Sequence, residues 1–252
     1  MQNQLADRTV IITGGSSGIG EAAARRFAAA GARLVLADVD EQAGAKLADE
    51  LGSAGHDAMF ARTNVANEAE VSAMVAAALV RFGRIDGAFN NAGIGYAGKR
   101  LHELAADRWQ ATIDVNLTGV FLCMKYQLAA MVEAGKGGAI VNTASIASVK
   151  ALPGAPEYNA SKYGVIGLTR NAALDYGVDR IRINAILPGA TSTPLLDRQR
   201  AGRKPDPSRR DSVLDRMATA EEIAEGAMWL LSDAASYVTG TALTVDGGLT
   251  LL

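Results

Sequence analysis

The string Thr13-Gly14-Gly15-Ser16-Ser17-Gly18-Ile19-Gly20 joins the branched apolar run TVII, from Thr9, to an alanine-rich stretch running from Gly18 to Ala30. That is the pattern of a buried strand entering a helix through a glycine-rich turn. Glycines at 14, 18 and 20 allow backbone angles closed to other residues, so a diphosphate can approach the amides at the positive end of the helix. Gly14, Ser16, Ser17, Gly18, Ile19 and Gly20 are therefore cofactor-binding candidates. These glycines are spaced by three residues and then one, whereas the common dinucleotide fingerprint is spaced by one and then two. Taken alone, such a turn also serves as a tight connection that binds nothing.

Outward from this turn, short branched apolar runs alternate with amphipathic or alanine-rich segments, which predicts repeated strand, helix, strand units. Strands are expected at TVII from Thr9, RLVLAD from Arg33, DAMFAR from Asp57, DGAFNN from Asp86, AIVNTAS from Ala139, RINAIL from Arg182 and ALTVD from Ala242. Helices are expected around Gly18 to Ala30, Glu41 to Leu51, Asn67 to Phe82, Ala106 to Glu133, Glu157 to Tyr176 and Ala220 to Ser232. Near-continuous apolar strands suit a parallel sheet covered on both faces, and right-handed crossovers then give a doubly wound, Rossmann-like α/β fold of about seven strands. No linker or fixed-period repeat divides the 252 residues, so one domain is expected over 1–252. Four prolines at 188, 194, 205 and 207 interrupt the pattern, and 189–215 is read as a substrate lid, the alternative being a plain solvated loop.

Bulk composition narrows the function. The formal net charge of -2 gives no broad basic surface for nucleic acid. One cysteine, Cys123, and two histidines, His56 and His102, form neither a disulfide framework nor a metal site of usual ligand spacing. With no uninterrupted apolar run near the roughly 18 residues of a membrane span and no leader pattern, a cytoplasmic protein without membrane contact is expected. Cys123 between Leu122 and Met124 reads as core, and His102 as a surface or packed residue. The sequons at Asn116 and Asn159 read as chance matches.

Three further stretches carry chemistry. Asp38 ends the second strand about 20 residues beyond the glycines, where a carboxylate accepts from adenosine-ribose hydroxyls and repels a 2′-phosphate. NAD is therefore expected over NADP, in keeping with the absence of Lys or Arg at Ser17 or Val39; the competing reading of Asp38 is a helix cap. NNAG, Asn90 to Gly93, closes the fourth strand with small residues that let backbone pass close to a cofactor, or else forms an ordinary turn. In YNASK, Tyr158 and Lys162 share one helical face, and an ammonium beside a phenol stabilises the phenolate for proton exchange with a substrate oxygen. Ser145, after the fifth strand, is placed to steady alkoxide charge, and Asn116 inside a helix suggests a kink or a buried polar task.

TGGSSGIG, NNAG, DVNLTGVF around Asn116, Ser145 in NTASIAS, YNASK, PG at Pro188 and the VDGG near the end resemble, in order and spacing, the short-chain dehydrogenase/reductase family. The resemblance spans nearly the whole chain. It implies hydride transfer between a nicotinamide cofactor and a secondary alcohol or ketone. Ser145 would bond the reacting oxygen, Tyr158 act as acid/base, Lys162 tune it and Asn116 help hold a water relay. It further implies cofactor contacts from Asn91, Ala92 and Gly93, adenine flanked by Asn64 and Val65 (an Asp is more usual at 64), and Pro188, Gly189, Thr191 and Thr193 beside the nicotinamide. A homotetramer built on the helices near 106–133 and 157–176 is implied as well. Rival readings are a 3-oxoacyl thioester reductase, opposed by Asp38, and a nucleotide sensor without catalysis, opposed by the intact Ser145, Tyr158 and Lys162. The lid is basic: Arg198, Arg200, Arg203, Lys204, Arg209 and Arg210 outnumber Asp197, Asp206 and Asp211, which recruits an anionic substrate or is a solvated face.

Overall fold

The computed structural model describes residues 4–96, 98–200 and 210–252. Seven strands, β1 (Thr9–Thr13), β2 (Arg33–Asp38), β3 (Ala58–Arg62), β4 (Gly87–Asn90), β5 (Gly138–Thr143), β6 (Ile181–Pro188) and β7 (Ala242–Val245), form one sheet in the order β3-β2-β1-β4-β5-β6-β7. Every neighbouring pair is parallel. All five residues of β1 are buried, whereas the edge strands β3 and β7 are only half-buried, which is why the central strands read as unbroken apolar runs. On one face pack α3 (Glu68–Phe82), α5 (Gly119–Ala134) and α6 (Pro156–Tyr176); on the other pack α1 (Gly18–Ala29), α2 (Glu41–Ser53) and α8 (Ala220–Leu231).

Register sets the site. Thr13 pairs with Ala37 on one side and Asn90 on the other, and Asn90 pairs with Asn142, so the carboxyl ends of four strands stand level. The chain leaves β1 for β2 on one side and returns as β4 on the other, which opens a crevice beyond these ends.

The expected helix from Ala106 divides into α4 (Ala106–Ile113), a π turn (Asp114–Thr118) and α5. A short helix, α7 (Pro194–Arg200), stands where the sequence reads as loop. Residues 201–209, and with them Arg203, Lys204, Asp206 and Arg209 of the basic run, lie outside the described residues. The helical run Ala106–Ala134 has an apolar window long enough to cross a membrane, and 56% of that window is buried inside the protein. Its apolarity is that of a helix packed against a sheet.

Candidate active site

At the first turn, Gly14 and Gly18 take φ of +63° and +55°, the left-handed region that side chains disfavour. A Cβ at Gly20 would stand 1.8 Å from the Gly14 carbonyl oxygen, so only glycine closes this turn. Ser17 caps α1 without a side-chain hydrogen bond, leaving the first-turn amides unclaimed by any cap. Thr13 Oγ1 accepts from the amides of Asn91 at 3.0 Å and Ala92 at 3.1 Å, and Asn91 Nδ2 donates to the carbonyls of Thr13 and Gly14, each at 3.3 Å. These bonds lock the ends of β1 and β4 together and hold Gly93 below Asn116 Oδ1 and Lys162 Nζ.

Asp38 points into the same turn, its Oδ2 accepting from the Ser16 amide at 3.1 Å and its Oδ1 from the Asp40 amide at 3.2 Å. The cap of α2 is Asp40, which accepts from the Ala43 amide at 3.0 Å, so the capping reading of Asp38 does not hold. A glycine-only cradle, an open positive helix end and a nearby carboxylate together fit the diphosphate and ribose of a dinucleotide. Asn64 and Val65 lie apart from the central cavity. Asn64 Oδ1 accepts from the Ala66 amide at 3.1 Å, and Val65 is buried against Gly119.

Tyr158 stands in the first turn of α6, which opens on Pro156, and Ser145 follows β5 as the cap of a 3-10 turn, accepting from the Ala147 amide at 3.1 Å. Burial pushes the Tyr158 phenol above its ordinary range, opposed by its hydrogen bond with Ser145. The Lys162 ammonium stands 5.7 Å from the phenol ring centroid and donates to the Thr143 carbonyl at 2.8 Å. Burial also lowers the lysine itself, to about 8.

Asn116 is fully buried in the π turn and has both the kink and the polar task that its composition suggested. Its Oδ1 accepts from the Ile94 amide at 2.8 Å, and its Nδ2 donates to the Ile94 carbonyl at 2.8 Å and Ser161 Oγ at 3.3 Å. Both amide hydrogens are thus committed to protein.

A cavity of about 640 Å³ gathers Ser145, Tyr158 and Lys162 with Ile19, Asn91 and Gly93 on one side. Pro188, Gly189, Thr191 and Thr193 line another side. Thr191 Oγ1 donates to the Gly189 carbonyl at 3.2 Å and Thr193 Oγ1 to the Thr191 carbonyl at 3.3 Å, which holds this strip in shape. The remaining wall is largely apolar, with Ile146, Leu152, Pro153 and Leu195. Leu249 and Leu252 complete it, and sequence reasoning missed them although an apolar tail after VDGG was a visible signal. Asp246 accepts from the amides of Gly248 and Thr250, both at 2.8 Å, and so turns that tail toward the site.

Also missed was Glu157, fully buried beside Tyr158, whose Oε1 accepts from Arg108 Nε at 2.8 Å and Nη2 at 2.6 Å. The Arg108 guanidinium lies 4.9 Å from the ring centroid of Tyr96, another wall residue of the cavity. Cys123 is buried with its thiol pushed up to about 12, the state of a core residue. His102 lies exposed in a 3-10 turn, and among the described residues no cluster able to hold a metal occurs.

The glycine cradle, the crevice at the strand ends and the Ser145, Tyr158, Lys162 group define a dinucleotide-dependent oxidoreductase. A family model described as enoyl-(acyl carrier protein) reductase matches residues 14–250. The chain belongs to the short-chain dehydrogenase/reductase family and interconverts a secondary alcohol and a ketone with a nicotinamide dinucleotide. It is 46% identical over 253 residues to 2,5-dichloro-2,5-cyclohexadiene-1,4-diol dehydrogenase of Sphingobium indicum, covering 99% of this chain and 100% of that protein. It is 42% identical over 250 residues to cis-4-hydroxycyclohexanecarboxylate dehydrogenase of Sinomonas cyclohexanicum, covering 99% of each. The crystal structure of carveol dehydrogenase from Mycobacterium avium in complex with NAD superposes with a TM-score of 0.93 at 31% identity, over all of both chains.

Proposed function

We propose that this chain is an NAD-preferring dehydrogenase of small alicyclic secondary alcohols, working reversibly on the ketones, with Tyr158 as acid/base. The observation that carries the reading is that Tyr158 and Ser145 line the same largely apolar cavity. A ring fits such a wall, and the names of the relatives from Sphingobium indicum and Sinomonas cyclohexanicum agree with one.

Gly14, Ser17, Gly18, Ile19 and Gly20 hold the diphosphate on their amides, with Ser16 keeping Asp38 aimed at the adenosine ribose. NAD, when bound, would supply the hydride acceptor for oxidation of the alcohol and, as NADH, the donor for reduction of the ketone. Ser145 donates to the reacting oxygen and offsets its developing charge. Tyr158 accepts the hydroxyl proton in oxidation and returns it in reduction. Lys162 orients toward the phenol and the nicotinamide ribose, and Thr191 and Thr193 hold the carboxamide side. Asn116 braces Ile94 and Ser161 around this group. We also read the protein as one cytoplasmic domain that assembles as a homotetramer, with a substrate lid at 189–215, of which 201–209 lie outside the described residues.

Replacing Tyr158 with Phe is the direct test. Turnover of cyclohexanol with NAD should fall by about 100-fold or more, while fluorescence titration shows NADH still bound. Unchanged turnover would remove Tyr158 from the proton path.

A further inference from the structure

The proposed reaction leaves two charged side chains of the cavity without a task. Lys150 and Arg210 both line it, and neither forms an ion pair among the described residues. Their backbones are well anchored. The Lys150 amide donates to the Ile146 carbonyl at 2.8 Å, on the turn that Ser145 caps. Arg210 stands two residues before Ser212, which is 3% exposed and donates to the Arg216 carbonyl at 2.7 Å. Facing them are Ile146, Leu152, Pro153, Leu195 and Leu249.

Both side chains are exposed, and an uncharged ring filling this cavity would offer neither cation a partner. A substrate with a carboxylate remote from its hydroxyl would supply that partner as a charge-assisted hydrogen bond. We infer that the substrate is an alicyclic hydroxy acid, its ring on the apolar wall, its secondary hydroxyl at Tyr158 and Ser145, and its carboxylate at Lys150 and Arg210. The inference rests on the alcohol oxidation proposed above. Oxidation breaks the carbinol C–H and O–H bonds: the hydride reduces NAD, the proton goes to Tyr158, a carbon–oxygen double bond forms, and the carboxylate is unchanged.

The test compares kcat/KM for 4-hydroxycyclohexanecarboxylate, its methyl ester and cyclohexanol, with NAD, in the wild type, Lys150→Met and Arg210→Met. The acid should exceed the ester by about tenfold or more in the wild type, and each variant should cut that ratio by about fivefold or more. High salt should shrink the ratio as well. Equal values for acid and ester overturn the inference while leaving the alcohol reaction standing. So does a variant that weakens NADH binding in titration and keeps the ratio, because the cation then serves the cofactor. Absence of turnover for all three compounds removes the reaction and this inference together.

Discussion

At the residue scale, the Lys162 ammonium is 3% exposed and donates to the Thr143 carbonyl at 2.8 Å, within a site that also buries the Tyr158 phenol. With its pKa lowered from 10.5 to about 8, the folded chain binds fewer protons at this site than the unfolded chain between those values. Unfolding free energy therefore rises with pH across that window, by at most about 1.4 kcal/mol per pH unit. Lys162→Met should lack this gain, so the wild type minus variant difference in urea denaturation should increase from pH 8 to pH 9.5. A flat difference would show that the ammonium is better solvated than its burial indicates. Asp38 carries a second expectation: initial rates should favour NAD over NADP by about tenfold or more, because a like charge beside a 2′-phosphate costs several kcal/mol, and Asp38→Ala should narrow the gap. That Ser145, Tyr158 and Lys162 come together in one cavity follows the expectation drawn from YNASK, NTASIAS and the family they resemble. The direction of the phenol's shift is not legible, since it depends on how much water the surrounding elements exclude.

At the scale of elements, the turn from β1 into α1 has no room for substitution. Gly20→Ala would drive a methyl into the Gly14 carbonyl, forcing the turn open at a cost of about 1–3 kcal/mol and abolishing measurable NADH association in titration. Retained binding would mean that the diphosphate is held elsewhere. Six of the helices were readable from periodicity, and their ends follow local chemistry. Asn67 caps α3 by accepting from the amides of Ala69 and Glu70, and Gly83 closes it at φ +77°. The π turn around Asn116 was readable only as a misplaced amide, because its cause is the distant backbone of Ile94. Helix α7 escaped detection since seven residues beside several prolines show too little periodicity.

Over the whole molecule, the two ends of the parallel sheet divide the work. At the end away from the cavity, Arg8 donates to the Leu231 carbonyl, Arg182 to those of Leu230 and Ser232, and Arg180 to that of Gly135. These arginines satisfy the carboxyl ends of α8 and α5, so their clustering is structural. Along α4, α5 and α6, Trp109, Phe121 and Tyr163 remain 37%, 46% and 49% exposed, an apolar surface suited to self-association. Sedimentation velocity should give four chains per particle, with Phe121→Glu shifting the population to smaller species; a monomer at micromolar concentration would overturn the tetramer. The sequence by itself determined the seven strands, the doubly wound fold and the glycine turn after the first strand, because each follows from local spacing or from periodicity set by backbone geometry. Only the tertiary structure decided that Glu157 is buried on Arg108, that the tail at Leu249 and Leu252 walls the cavity, and that the phenol is raised. Those outcomes arise from contacts between segments far apart in the chain, where burial and partner choice are settled by packing.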